Sequence, residues 1–208
     1  MMRKIILTGC VFVLVLAFSG LAGAAITPID PFTGDYSEGF ESFSSNFVSH
    51  YDIFGGHGTV DTSGGSLHTT AAWSYSPRRA DPYEGERLMG ALDDVVTWAF
   101  DVPAEKFGGY FMSISGSSGA AAYFYDIDSL LLGSSSIQAP SGVNTWAWDG
   151  WSFDTPVKYL EIHSSDVNGF IMHDDMQYTP AKSNVVPEPS TLFLIGTGIF
   201  GLFFRRKS

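Results

Sequence analysis

Apolar and polar residues alternate in short runs along the middle of the chain. Thr97-Trp98-Ala99-Phe100-Asp101-Val102 alternates and meets Pro103. Gly109-Tyr110-Phe111-Met112-Ser113-Ile114 alternates and runs into Gly116-Ser117-Ser118-Gly119. Ala121 to Asp126 is followed by Leu130-Leu131-Leu132, with Asp128-Ser129 placed for a tight turn. Trp146-Ala147-Trp148, Asp149-Gly150 and Trp151-Ser152-Phe153 predict a hairpin closed by a type I′ turn. Val157 to Ile162 and Gly169 to Tyr178 complete the series. No ten-residue segment keeps a helical period. Short strands at this spacing predict an all-β fold, a single β-sandwich or jelly-roll domain over residues 25–180.

The two ends read differently. Arg3-Lys4 precedes an apolar run from Ile5 to Phe18, interrupted by Thr8 and Gly9. Ala22-Gly23-Ala24 then offers small residues at the positions a signal peptidase reads. Residues 1–24 therefore predict a secretory signal peptide, with the Sec translocon and signal peptidase as partners. Leu7-Thr8-Gly9-Cys10 resembles a lipoprotein box, but it precedes most of the apolar run instead of following it. At the other end, Pro187 and Pro189 hold the backbone extended around Glu188. Ser190 can cap a helix over residues 191–204, an uncharged stretch rich in Leu, Ile and Phe. Arg205, Arg206 and Lys207 close it with positive charge that stays on the cytoplasmic side. Fourteen residues span roughly 21 Å as a helix, short of the ~30 Å bilayer core. Gly196, Gly198 and Gly201 weaken it further.

Val-Pro-Glu-Pro-Ser-Thr, a glycine-containing apolar stretch and a terminal Arg-Arg-Lys together resemble the PEP-CTERM sorting signal, also known as an ice-binding protein C-terminal domain. The resemblance runs from Pro187 to Ser208, within a 181–208 linker-and-signal segment. It implies recognition by an exosortase, a membrane cysteine transpeptidase-like enzyme, with cleavage near Pro187-Glu188-Pro189. It also implies a Gram-negative host that makes exopolysaccharide or biofilm. The protein is then exported and anchored in the cell envelope, with its body on the periplasmic or extracellular side, and released after C-terminal cleavage. Regular Thr arrays of the kind ice binding would want are missing.

Composition narrows what the body can do. Charged residues are 16% of the chain and aromatics 15%, with 23 glycines, a mix suited to strands and turns. The net charge is −11, and only six of the 11 basic residues lie between the leader and the terminal basic cluster, so nucleic acid is repelled. The single cysteine, Cys10, lies in the leader, so the processed protein holds together by packing alone. The five histidines show no HxH or HExxH spacing, and there is no GxSxG elbow or phosphate loop. A non-catalytic role is expected.

Two candidate sites remain. Trp146, Trp148 and Trp151 either fill the sandwich core or form a stacking platform for sugar rings. The body also resembles β-sandwich domains that precede this sorting signal, opening with Gly39-Phe40-Glu41 and closing with His173-Asp174-Asp175. In related carbohydrate-binding-like jelly rolls an N-terminal Glu and a C-terminal Asp share a structural Ca²⁺. Carried over, that implies Glu41 and Asp175 as ligands, provided the first and last strands are neighbours. The expected role is structural, within an exopolysaccharide matrix. The alternative is a lectin-like glycan-binding module.

Intact mass spectrometry of the mature protein tests both processing steps. Residues 1–24 and everything beyond about Pro187 are expected to be gone. A full-length C-terminus in wild-type cells refutes exosortase handling.

Overall fold

The computed structural model describes residues 24–92, 95–115, 118–164 and 170–182. Ala22, the Pro187-Glu188-Pro189 motif, the 191–204 helix and the basic tail lie outside the described residues. The described chain is all-β: β1 (Ile26–Pro28), β2 (Tyr36–Glu38), β3 (Phe47–Val48), β4 (His50–Ile53), β5 (Gly58–Thr62), β6 (Ser66–Thr70), β7 (Trp73–Tyr75), β8 (Arg78–Ala80), β9 (Leu88–Leu92), β10 (Val95–Ser113), β11 (Ala120–Tyr125), β12 (Leu131–Ile137), β13 (Ala147–Ser164) and β14 (Ile171–Pro180). All the strand pairs described are antiparallel.

β10 and β13 are long, at 19 and 18 residues, and each belongs to two layers. The Val96–Phe100 part of β10 pairs with β5, and Val95–Ala99 pairs with the 159–163 part of β13. Beyond register breaks on either side of Ala104, β10 pairs with β14 and with the 147–152 part of β13. One layer thus runs β4-β5-β10-β13-β11-β12. The other runs β3-β6-β9-β14-β10-β13-β1, with β2 following β9 along the edge of β14. Rings from the two halves of β10 meet across the space between: Trp98 lies 5.3 Å and Phe100 5.2 Å from Phe107. Phe100 also stacks on Tyr178 at 4.8 Å. The result is a sandwich with one main aromatic core. A smaller cluster lies on the other face of the second layer, where Met112, Ile114 and Met172 are covered by Trp73, Trp146 and Phe170.

Two turn expectations are corrected. Pro103 does not end a strand, and the runs 97–102 and 109–114 are one strand. Proline lacks an N–H, but it sits at the register break, where no ladder bond is needed. Asp149-Gly150 is not a hairpin turn, because β13 runs straight through it. Gly150 pairs with Gly108, and a Cβ on either would come within 2.8 Å of Trp148 Cζ2. The glycines serve a close approach, not a turn. The Asp128-Ser129 turn does form: Ser129 has φ 62°, and Asp126 Oδ1 accepts from the N–H of Asp128 and Leu130 at 2.9 and 2.8 Å.

His173 is the anomaly of the core. It is fully buried, 5.6 Å from Trp98 and 5.3 Å from Phe111, and neither ring nitrogen has a hydrogen-bond partner. Burial pushes its pKa down to about 3. The unfolded ring titrates near 6.5, so between these values the unfolded chain binds the extra proton. The His173 contribution is therefore held above about pH 6.5 and lost as pH falls. His173→Phe is expected to raise the urea midpoint at pH 7.5 by the equivalent of about 1–3 kcal/mol, the cost of a buried unpaired polar group. At pH 5 the gain is expected to be larger. An equal gain at both pH values would contradict this.

Candidate functional site

The three candidate tryptophans diverge. Trp151 points into the main core, 1% exposed, with its ring 5.2 Å from Phe124. Trp146 packs on the smaller cluster and donates its indole N–H to the Asp81 carbonyl at 3.0 Å. Trp148 is half-buried and donates to the Ile29 carbonyl at 3.0 Å. Odd and even positions of β13 face opposite ways, which separates Trp148 from Trp151. Trp148 and Trp151 both line one cleft, but Trp151 is 1% exposed and Trp148 only half-buried.

Trp148 lines a cleft of about 600 Å³ between β1, β12 and β13, together with Asp30, Ser135, Ser136, Gln138 and Asp149. β1 reaches β12 because residue 133 is glycine; a Cβ there would stand 2.8 Å from Ile26 Cδ1. Asp149 Oδ2 accepts the Gln138 N–H at 2.8 Å, tying β13 to the end of β12. Burial pushes the Asp149 carboxyl above its ordinary pKa, against that bond.

An aromatic ridge continues from Trp148. Phe32 and Tyr110 meet it edge-on at 5.8 and 5.3 Å. Tyr83, 41% exposed, stacks on Tyr110 at 3.5 Å. The hydrogen bond between their hydroxyls, followed by burial and then the charges of Asp175 and Glu84, pushes Tyr110 up to about 12. Phe32, Tyr83 and Tyr110 were not singled out from sequence. Tyr110 has a signal, since its alternation with Phe111 puts it opposite the core. Tyr83 has none; it stands on a loop.

Carboxylates hold that loop. The buried Asp174 accepts from Tyr83 and Glu84 N–H through Oδ2, at 2.6 and 3.3 Å, and from Asp175 N–H through Oδ1 at 2.8 Å. Burial outweighs these donors and pushes its pKa up to about 7. Glu41 Oε1 accepts from Glu86 and Arg87 N–H at 2.7 and 3.0 Å. Gly85, at φ 68°, lies so close under Glu41 that a Cβ would stand 2.1 Å from Oε1 and displace the carboxylate.

These bonds bear on the Ca²⁺ expectation. β2 does lie beside β14, with Glu38 opposite Met176. The carboxylate at that junction is Glu38, which accepts from Phe40 and Phe54 N–H at 2.8 and 3.0 Å. Glu41 is committed to the 86–87 backbone. Asp175, a bulge residue at φ 44°, accepts from Gln177 Nε2 at 2.7 Å. N–H donors present positive charge where a cation would need bare oxygens. Among the described residues no three His, Cys, Asp or Glu side chains converge as a metal site. N–H donors take one oxygen of Glu41 and one of Asp175, which weighs against a shared Ca²⁺ there.

Residues 185–207 match the family described as the PEP-CTERM protein-sorting motif. No curated protein matches the chain. Among solved structures, a cleaved adhesin domain of Lys-gingipain is 13% identical, covering 69% of this chain and 98% of its own, at a TM-score of 0.46. A tandem of two family 22 carbohydrate-binding modules from Paenibacillus barcinonensis is 14% identical, covering 78% of this chain and half of its own, at 0.46. A family 6 carbohydrate-binding module is 14% identical, covering 73% and all of its own length, at 0.36.

Excess EDTA is expected to leave the melting temperature of the purified protein unchanged within 1 °C by scanning fluorimetry, on the order of a negligible stability change. A fall of several degrees, reversed by Ca²⁺, would restore the calcium expectation.

Proposed function

We propose that this chain, which carries the PEP-CTERM sorting motif over residues 185–207, is an exported extracellular protein whose β-sandwich binds neutral glycan. An exosortase sorts it, cutting near Pro187-Glu188-Pro189, and the Sec translocon and signal peptidase act before that. The glycan is the exopolysaccharide into which the protein is delivered, so matrix role and binding role are one.

The observation that carries the reading is the cleft beside Trp148. An indole offers a flat apolar surface to sugar C–H groups, while its rim supplies acceptors and hydroxyls for sugar OH groups. Asp30 and Asp149 make the cleft acidic. Anionic uronates would meet like charge, so a neutral hexose polymer suits it better. Asp149, its half-buried carboxylate, is engaged in holding the Gln138 backbone. The role is binding, not catalysis.

Retention on neutral polysaccharides tests this with the mature protein. Trp148→Ala is expected to weaken binding at least tenfold, about 1.4 kcal/mol or more, in a protein that melts at a lower temperature but is still folded at the assay temperature. Trp151→Ala is expected to disrupt the core instead. Undiminished binding by folded Trp148→Ala, or no binding by the wild type, would end the proposal.

A further inference from the structure

The end of the sandwich away from the Trp148 ridge gathers exposed apolar residues that the cleft does not use. Ile127, Leu130 and Leu131, around the β11–β12 turn, are 66%, 65% and 51% exposed. The turn holds them in place through Asp126, whose backbone N–H also donates to the Leu130 carbonyl at 3.1 Å. Tyr125, at the base of the tip, pairs with Tyr159, which pairs with Ala99. The tip therefore projects where β10 and β13 pass between layers, the end that also carries the half-exposed Val102.

Both ends of the domain leave at that same place. The Asp154 N–H donates to the Ala25 carbonyl at 3.2 Å, and the Ala181 N–H to the Pro103 carbonyl at 2.8 Å. Nine residues lie between Ala181 and Thr191, where the uncharged apolar stretch begins, and the ten steps reach at most about 36 Å. We propose that Ile127, Leu130 and Leu131 rest in the surface of the lipid bilayer while the C-terminal segment is still attached. This rests on the reading that residues 191–204 lie in the membrane.

The chemistry favours a zwitterionic surface. Asp101, Asp126, Asp128 and Asp154 surround this end. Of the bases near it, Lys158 donates to the Phe100 and Asp101 carbonyls, and Lys182 stands exposed just past Ala181. The acids outnumber the bases at this end and disfavour anionic lipid, so contact is shallow and depends on the tether raising the local concentration of the tip at the membrane. Cutting the tether then frees the domain.

The test uses leader-processed protein with its C-terminal segment intact, in phosphatidylcholine vesicles. Processing removes Cys10, so Leu130→Cys carries the only thiol for an environment-sensitive fluorophore. Val143→Cys is the control; it is 57% exposed and sits near the far end of β10, bridged to Arg79. The Leu130 label is expected to shift blue and to be quenched by headgroup-depth spin labels, and the Val143 label to stay water-like. A water-like Leu130 label on protein that floats with the vesicles overturns the docking alone. A blue shift that needs no lipid means that protein covers the tip, and overturns it too. Protein that does not float overturns the anchor reading, and the docking with it.

Discussion

The sandwich depends on two long strands turning one corner side by side. β10 and β13 stay paired on both sides of the bend, so neither can turn unless the other does. What drives the turn is the ring packing it permits. Trp98 and Phe100 can reach Phe107 only if the strand doubles back on itself, and Tyr178 and His173 close the same space from β14. With one cysteine in the chain, no internal disulfide shares the burden. Apolar burial at about 25 cal/mol per Å² has to outweigh the entropy of ordering many short strands. Trp98 and Trp151, the two largest fully buried side chains, stand on these two strands.

Around that core, carboxylates do what metals or disulfides do in other small exported domains. Glu38, Glu41, Asp149 and Asp174 each accept backbone N–H groups from a segment distant in sequence. A charged acceptor satisfies such donors strongly, and one side chain can hold two. The cost appears as raised pKa values at Glu38, Asp149 and Asp174, where burial opposes the charge. The acidity of the body is thus partly internal architecture.

Much of the fold was legible from residue 95 onward, where alternation is long enough to count. The alternation through Trp98, Phe100 and Phe111 marked strands, and these side chains fill the core. The first nine strands were hard to see because they run only two to five residues, too short for a period to emerge. Pro103 and Asp149-Gly150 misled for one reason. Proline and glycine report what a backbone tolerates, not which use the fold makes of it. At Gly150 the need was room for Trp148, information held by the partner strand. The candidate site was half legible. The tryptophans drew notice, but both faces of the second layer are covered, so alternation separates Trp148 from Trp151 without saying which side is open. Tyr83 owes its place to Asp174, 91 residues away.

The shared exit of both chain ends has a further consequence for the order of maturation. Ala25 is held by Asp154 and Ala181 by Pro103, at the same corner, and the strands between them close on one another. The body is in effect a closed loop, pinched at its neck. If both ends are processed as proposed, the bonds at Ala25 and Ala181 lie inside both cuts, and the neck is held the same way whichever cut comes first.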